Sequence, residues 1–236
     1  IVITCYLVIN VLDLVWLVRG DERKVKTLSY VALPVAILVH SVTAWIFGLE
    51  IAKEGWYSAI MAPIFVASAC DSGLALLMVV LAAVRKAGVF DCGSALFADL
   101  ARLLAVFIAV DAFFVGCELL TVAYPGAEGA TQLLSIMTSG STAPFFWFEI
   151  LGGLLVPFLL LASAKRRKHA GVVVAASVLV MCGVLCKRVW LLFSSFAMTN
   201  VYGAPGISSG STVARGADGF DMWALVGSYT PQPVEF

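Results

Sequence analysis

Residues 65–84, FVASACDSGLALLMVVLAAV, form an apolar run in which Asp71 is the single charged residue. About 20 apolar residues in a helix cross a hydrocarbon core roughly 30 Å thick, so this run is long enough to span a bilayer. No basic residue stands beside Asp71 in the sequence to pair with its carboxylate. The run therefore predicts a transmembrane helix that carries an acid at depth.

The composition of the whole chain agrees with that interpretation. Of its 236 residues, 61% are hydrophobic and 13% are charged, and the mean hydropathy is +1.01. An ordinary soluble domain is much less apolar. Because the formal net charge is zero and the basic residues stand in short scattered clusters, no surface for nucleic acid is indicated. The expected surroundings are membrane lipid.

Six apolar segments follow one another with no soluble domain between them. Backbone groups in lipid must be satisfied internally, and continuous runs of this length favour helices over the alternating strands of a barrel. The sequence therefore predicts an all-α polytopic transmembrane bundle over residues 1–199 and a Gly/Ser-rich extracytoplasmic tail or loop over 200–236. The predicted spans are residues 1–18, 27–49, 58–84, 98–124, 145–164 and 170–199.

Three prolines lie inside these predicted helices, at Pro34, Pro63 and Pro157. Proline removes a backbone hydrogen bond and clashes with the preceding turn, so each is expected to kink its helix.

Basic residues mark alternate loops of the predicted bundle. Clusters of Lys and Arg stand in the loops 19–26, 85–97 and 165–169, whereas the intervening loops hold Lys53 or no basic residue. The positive-inside rule places the basic loops in the cytoplasm. The nearly uncharged 125–144 segment is then expected to be a loop on the outside.

Four polar residues fall at depth in these spans. At 1.5 Å per helical residue, His40 lies roughly 15 Å below the outer end of its helix, and Asp71 and Asp111 each lie roughly 20 Å below theirs. Glu118 follows Asp111 by seven positions, on nearly the same helix face. A charge in mid-bilayer costs at least about 2.5–3.5 kcal/mol, and such residues usually line an interior pathway.

Structural alternatives exist for the acids. Asp71 could be a protonated contact between helices, hydrogen-bonded near Ser68 and Ser72. Glu118 and Glu149 lie close enough to the surface to extend towards the headgroups. Asp13 is expected to be a solvated or paired acid near the cytoplasmic end of its helix.

Two cations, Lys187 and Arg188, interrupt the last span. They could anchor at lipid headgroups or neutralise Glu118 or Glu149, and spacing alone does not choose between these roles.

Cysteine and histidine spacing excludes several kinds of site. The chain has two histidines, His40 and His169, and its six cysteines form no CxxC pair or zinc-type cluster. A bis-histidine haem cannot be built within the chain, because His169 lies in a basic loop. No nucleotide-binding or hydrolase motif is present. We expect no haem and no metal, with electrons entering and leaving through a partner.

Four motifs, in order, resemble the NrfD-like, polysulfide-reductase family of membrane subunits. The segment 38–77, LVHSVTAWIFGLEIAKEGWYSAIMAPIFVASACDSGLALL, is similar to the signature helix pair of that family. APFFWFEILGGLLVPFLLL, KRVWLLFSS and the terminal YTPQPVEF resemble its later helices and the segment before a final span. The resemblance covers most of the chain.

The resemblance implies a haem-free subunit that oxidises quinol or reduces quinone, with menaquinone as the expected form. It further implies a prokaryotic cytoplasmic membrane, a ferredoxin-like iron–sulfur partner docked outside and a molybdopterin catalytic subunit. Family members have eight or more helices in two four-helix bundles, so the chain is expected to lack N-terminal helices and a last helix.

The same resemblance implies site residues. The related subunits of alternative complex III have a His and an Asp matching His40 and Asp71, which are held to form the quinol site. Imidazole can accept a proton near neutral pH, and a desolvated Asp71 could hydrogen-bond a quinone oxygen or the imidazole. A proton path through Asp111 and Glu118 is expected from depth and helix face alone. The alternatives are a proton- or ion-coupled transporter and a passive membrane anchor.

Overall fold

The computed structural model describes residues 1–51, 53, 55–90 and 93–196, and in these ranges the regular structure is helical, without a strand. The expected tail over 200–236, the last residues of the sixth predicted span and Cys92 lie outside the described residues. The helices are α1 (Val2–Val18), α2 (Glu22–Gly48), α3 (Met61–Lys86), α4 (Ser94–Ala123), α5 (Glu128–Ser139), α6 (Ala143–Trp147), a π-helical segment (Phe148–Leu155), α7 (Val156–Ala162), α8 (Ala164–Arg167) and α9 (Ala170–Phe196).

Five helices in the described part of the chain are long and apolar enough to cross a membrane: α2, α3, α4, α9 and the continuous helix Ala143–Ala162. That last helix is built from α6, the π-helical segment and α7, and we call it the fifth span. Helix α1 is apolar but shorter, at 17 residues. The protein is an integral multi-pass membrane protein of the all-α class, as predicted.

The core lies among α3, α4, the fifth span and α9. Helix α3 packs against α2, α4 and α9, and α9 also packs along the fifth span. The principal apolar cluster includes Met78, Leu104, Ile108, Leu161 and Val180, contributed by these four spans. By contrast, α1 has no buried residue and α2 has one, Ala44, within the described chain. Helices α1 and α2 therefore form a hairpin at the side of a four-helix core.

The turn between α1 and α2 is specified locally. Gly20 has a φ of +73°, a left-handed conformation that glycine adopts without steric cost. Asp21 then caps α2, because its side chain accepts a hydrogen bond from the backbone N–H of Lys24 at 3.3 Å and forms an ion pair with the Lys24 ammonium at 2.6 Å. These interactions with Lys24 hold the pKa of Asp21 below its ordinary value.

The segment 125–144 was expected to be a loop, but it contains the 12-residue helix α5. Ala130, Leu133 and Met137 are buried, at a spacing that places them on one helix face. Leu133 and Met137 join an apolar cluster with Trp56 and Trp190. Burial of this face against the bundle explains the helix, which the low charge of the segment does not reveal.

The three prolines have different roles in the structure. Pro34 lies inside α2, as predicted. Pro63 is the third residue of α3, because that helix begins at Met61. The first four N–H groups of a helix have no partner within the helix, so Pro63 removes no hydrogen bond, and the kink expected there has no cause. Pro157 is the second residue of α7 and stands two positions after the end of the π-helical segment.

Candidate functional site

Asp71 lies on the buried face of α3. The buried positions of this helix recur every three or four residues and include Ile64, Ser68, Asp71, Ala75 and Met78. The residue is 0% exposed. Neither carboxyl oxygen accepts a hydrogen bond of normal geometry from any residue in the described ranges. Within the described residues, the fold thus encloses this acid without a hydrogen bond of normal geometry to either oxygen.

Asp111 and Glu118 lie on one face of α4, as their seven-residue spacing predicts. Both are buried, together with Ile108 and Val115 of the same helix. Glu118 is 5% exposed, so of the two positions considered for it the structure favours the interior over the bilayer surface. One oxygen of Asp111, Oδ1, has no hydrogen-bond partner among the residues described.

Lys187 of α9 is the cation at the centre of this group. It is 2% exposed, and its Nζ lies 3.5 Å from Glu118 Oε2 and 3.4 Å from Glu149 Oε1. A buried charge needs a partner of opposite sign to offset its desolvation. Of the two roles considered for Lys187, the structure selects neutralisation of Glu118 and Glu149 over anchoring at headgroups.

Glu149 enters the site from the π-helical segment of the fifth span. It is 2% exposed, so the expectation that it extends to the surface is wrong. The indole Nε1–H of Trp190 donates a hydrogen bond to Glu149 Oε2, while Glu149 Oε1 faces Lys187. Trp190 of α9 therefore holds one carboxylate oxygen by a hydrogen bond, and Lys187 of the same helix faces the other at ion-pair distance.

These side chains border a common narrow crevice. Its polar lining consists of Asp71, Asp111, Glu149 and Lys187, and its apolar lining is Gly153, Leu154, Val180, Gly183 and Val184. Four separate elements thus deliver charged groups to one place inside the bundle. We call Asp71, Asp111, Glu118, Glu149 and Lys187 the buried charge cluster.

Arg188 connects this cluster with α2. Its guanidinium carbon stacks over the Phe65 ring at 3.8 Å from the ring centroid, a cation–π contact. Arg188 lies within electrostatic range of both Asp111 and His40.

His40 lies on α2 and is exposed. Ala44, one turn further along α2, is fully buried, so His40 stands at the edge of the face that α2 packs against the bundle. In the part of the chain that the structure describes, no hydrogen bond or ion pair joins His40 to Asp71. Of the four predicted site residues, the structure brings Asp71, Asp111 and Glu118 into one buried cluster and leaves His40 beside it.

Sequence reasoning did not assign Glu149, Lys187 and Trp190 to the site. A signal for Lys187 exists, because it follows Val180 and Gly183 at helical spacing on the buried face of α9. No comparable signal exists for Glu149, whose direction depends on the π-helical turn.

Comparison with known proteins gives a family match and several relatives. The family described as "Polysulphide reductase, NrfD" matches residues 6–200. A protein of Halobacterium salinarum, provisionally named as a membrane subunit of dimethyl sulfoxide reductase, is 36% identical over 86% of this chain and 46% of its own length. A protein of Mesobacillus selenatarsenatis, named as a subunit of selenate reductase, is 29% identical over 73% of this chain and 39% of its own length.

A third relative is the Hdr-like menaquinol oxidoreductase integral membrane subunit of Archaeoglobus fulgidus, which is 26% identical over 93% of this chain and 54% of its own length. The chain spans about half the length of these curated relatives. The match over residues 6–200 covers most of the chain and all of the buried charge cluster. The chain therefore belongs to the NrfD family of polysulphide reductase membrane proteins.

Proposed function

We propose that this chain is the quinone-interacting membrane subunit of a respiratory oxidoreductase. In this role it passes electrons between the quinone pool and an iron–sulfur partner, with protons released or taken up near the outer face. The observation that carries the proposal is the NrfD family match along residues 6–200. The names of the relatives support it, since each is the subunit of a reductase or a menaquinol oxidoreductase.

The residues present fit a quinone in one specific way. His40 offers an exposed imidazole on a membrane-spanning helix, where a lipid-soluble ring can reach it. On α3, Asp71 has two buried oxygens that accept no hydrogen bond in the described ranges. We therefore assign His40 to contact with the quinone, and Asp71 to the proton side of the reaction. Menaquinone is the expected quinone, following the name of the Archaeoglobus relative.

The chemistry assigned to the chain is proton handling. A bound quinol supplies two electrons and two protons. His40 accepts one proton as general base, which requires the neutral imidazole. The acids of the cluster receive the other proton, and the electrons leave to the iron–sulfur partner.

The partners and the orientation belong to the same proposal. A ferredoxin-like iron–sulfur protein docks on the outer side, and a molybdopterin enzyme completes the assembly. The basic loops 19–26, 85–97 and 165–169 face the cytoplasm, and the membrane is the cytoplasmic membrane of a prokaryote.

The experiment is photo-crosslinking of the assembled complex with an azido-quinone, followed by mapping of the labelled peptide. We expect labelling within α2 around His40, and loss of that label in the presence of excess natural quinone. Competable labelling confined to a partner protein, or to α1, would contradict the assignment.

A further inference from the structure

The carboxyl groups of the buried charge cluster outnumber the cations that could neutralise them, which are Lys187 of the cluster and the adjacent Arg188. With Arg188 included, the group contains four carboxyl residues and two basic residues, and its members outside Arg188 are 0–5% exposed. If every group were ionised, two negative charges would remain in the core of the bundle. An unpaired charge in such a place costs several kcal/mol, and a protein commonly avoids the cost by binding a proton.

The two cations are already engaged by other groups. The Lys187 ammonium stands between Glu118 Oε2 and Glu149 Oε1, at 3.5 and 3.4 Å. Arg188 is stacked on Phe65. No ion pair to Asp71 is formed within the described ranges.

Of the buried carboxyl oxygens without a hydrogen-bond partner in the described ranges, four belong to crevice residues, Asp71, Asp111 and Glu149, and one belongs to Asp13 of α1. Both oxygens of Asp71 and Oδ1 of Asp111 are buried without a hydrogen-bond partner among the described residues, and both side chains line the same crevice. The hydroxyls of Ser68 and Ser177 are buried without a partner in those ranges as well. Ser72 donates its hydroxyl to the backbone oxygen of Ser68 and makes no hydrogen bond with the Asp71 carboxyl.

These observations remove the structural alternative considered for Asp71. A protonated Asp71 bonded to Ser68 or Ser72 would show one of those contacts, and neither is made. Among the described residues, Asp71 and Oδ1 of Asp111 lack a hydrogen-bond donor, because the Lys187 ammonium that also lines the crevice is paired with Glu118 and Glu149. A proton on one carboxyl supplies a donor, because the O–H of a carboxylic acid donates to an oxygen that otherwise only accepts.

We propose that Asp71 and Asp111 together form a binding site for one proton, with the ion pairs of Lys187 to Glu118 and Glu149 as its fixed neighbours. Binding forms an O–H bond on one carboxyl, leaves the other ionised and reduces the excess of the group from two negative charges to one. The charged groups that border the crevice with Asp71 are Asp111 from α4, Glu149 from the fifth span and Lys187 from α9. Glu118 of α4 is joined to them through Lys187. His40 is the titratable group on α2 nearest to this face.

The ligand is a proton and not a metal ion. Within the described ranges, no group of three or more His, Cys, Asp or Glu side chains has the arrangement of a metal site. The role of this site during turnover rests on the proposed function. In that role, the carboxyl of the pair that is still ionised receives the second proton released on quinol oxidation. Proton binding itself requires no quinone, and its test can fail independently of the quinone test.

The experiment is infrared spectroscopy of the complete purified complex at neutral pH, without quinol, in ordinary and heavy water. We expect a carbonyl band of a protonated carboxylic acid that shifts on deuterium exchange. The band should be lost in both Asp71→Asn and Asp111→Asn. Asp99→Asn, an exposed acid on α4, is the matched control and should keep it.

Two results would overturn the proposal. One is the absence of such a band in the unmodified complex, a result that does not depend on the folding of any variant. The other is a band that persists in both Asn variants. A sodium titration separates a metal cation from a proton: if added sodium at constant pH abolishes the band, the site is a cation site and the proposal is wrong.

Discussion

At the scale of single residues, Lys187 decides how the acids of this bundle coexist. Its ammonium is enclosed and lies within 3.5 Å of oxygens from two different spans. Removing one partner of a buried ion pair is much more costly than replacing the whole pair by apolar groups, because it leaves a charge without compensation. Lys187 should therefore contribute to stability through the two glutamates that it neutralises.

Lys187→Met tests this contribution. We expect a loss of about 3–5 kcal/mol in the free energy of unfolding, since Glu118 and Glu149 lose their cation. The measurement is denaturant unfolding in detergent. Lys86→Met, at the exposed end of α3, should change stability by less than about 0.5 kcal/mol. Adding Glu118→Gln and Glu149→Gln should restore part of the loss, and no restoration would contradict the ion-pair account.

The sequence predicts the depth of these residues better than their partners. Asp71 and Asp111 stand in the middle of long apolar runs, and both are buried. Glu118 and Glu149 stand nearer to the helix ends, where a surface position is equally consistent with spacing, and both are enclosed. Rise per residue fixes depth along the membrane normal. Which neighbour supplies the counter-charge depends on helix rotation, which the sequence does not state.

At the scale of elements, the π-helical segment Phe148–Leu155 positions the fifth span against α9. A π turn is frequently found at functional sites. Here it ends just before Pro157, whose missing N–H already breaks the regular hydrogen-bond ladder. Within the segment, Gly153 contacts Gly183 of α9 so closely that a Cβ on Gly153 would lie 2.6 Å from Gly183 Cα. The close approach brings Glu149 to Lys187.

Gly153→Ala tests that packing. Backbone cannot yield as a flexible side chain does, so we expect the two helices to separate, with a loss of about 1–3 kcal/mol in stability. Gly116→Ala on α4 is the control, since an added Cβ meets nothing within 4 Å there. It should be neutral or stabilising by up to about 1 kcal/mol. Equal melting temperatures for the two variants would rule out the tight contact.

The elements themselves are predictable to different degrees. Long apolar runs reveal the membrane helices, because length and hydropathy are sufficient for that assignment. Helix α5 is missed, because its low charge resembles a loop and its stability comes from burying Leu133 and Met137. The π-helical segment depends on a single altered turn next to a proline, for which no sequence pattern is specific.

At the scale of the whole molecule, the position proposed for the iron–sulfur partner depends on which side of the membrane each loop occupies. The basic loops alternate along the chain, which predicts a single orientation. In a Lys24→Cys variant, the new thiol should react with a membrane-impermeant maleimide only from the cytoplasmic side. In a Tyr57→Cys variant, the new thiol should react only from the outside. The reverse pattern of labelling would place the iron–sulfur partner on the other face.

The most direct test of the account is quinol-driven electron transfer to the iron–sulfur clusters of the complete assembled complex. His40→Ala should lower the rate roughly 10²-fold or more, as loss of a general base does, while Tyr30→Ala, exposed on the same helix, should leave it unchanged. A His40→Ala complex that assembles normally and transfers electrons at the unmodified rate would contradict the assignment of the quinone site to this chain.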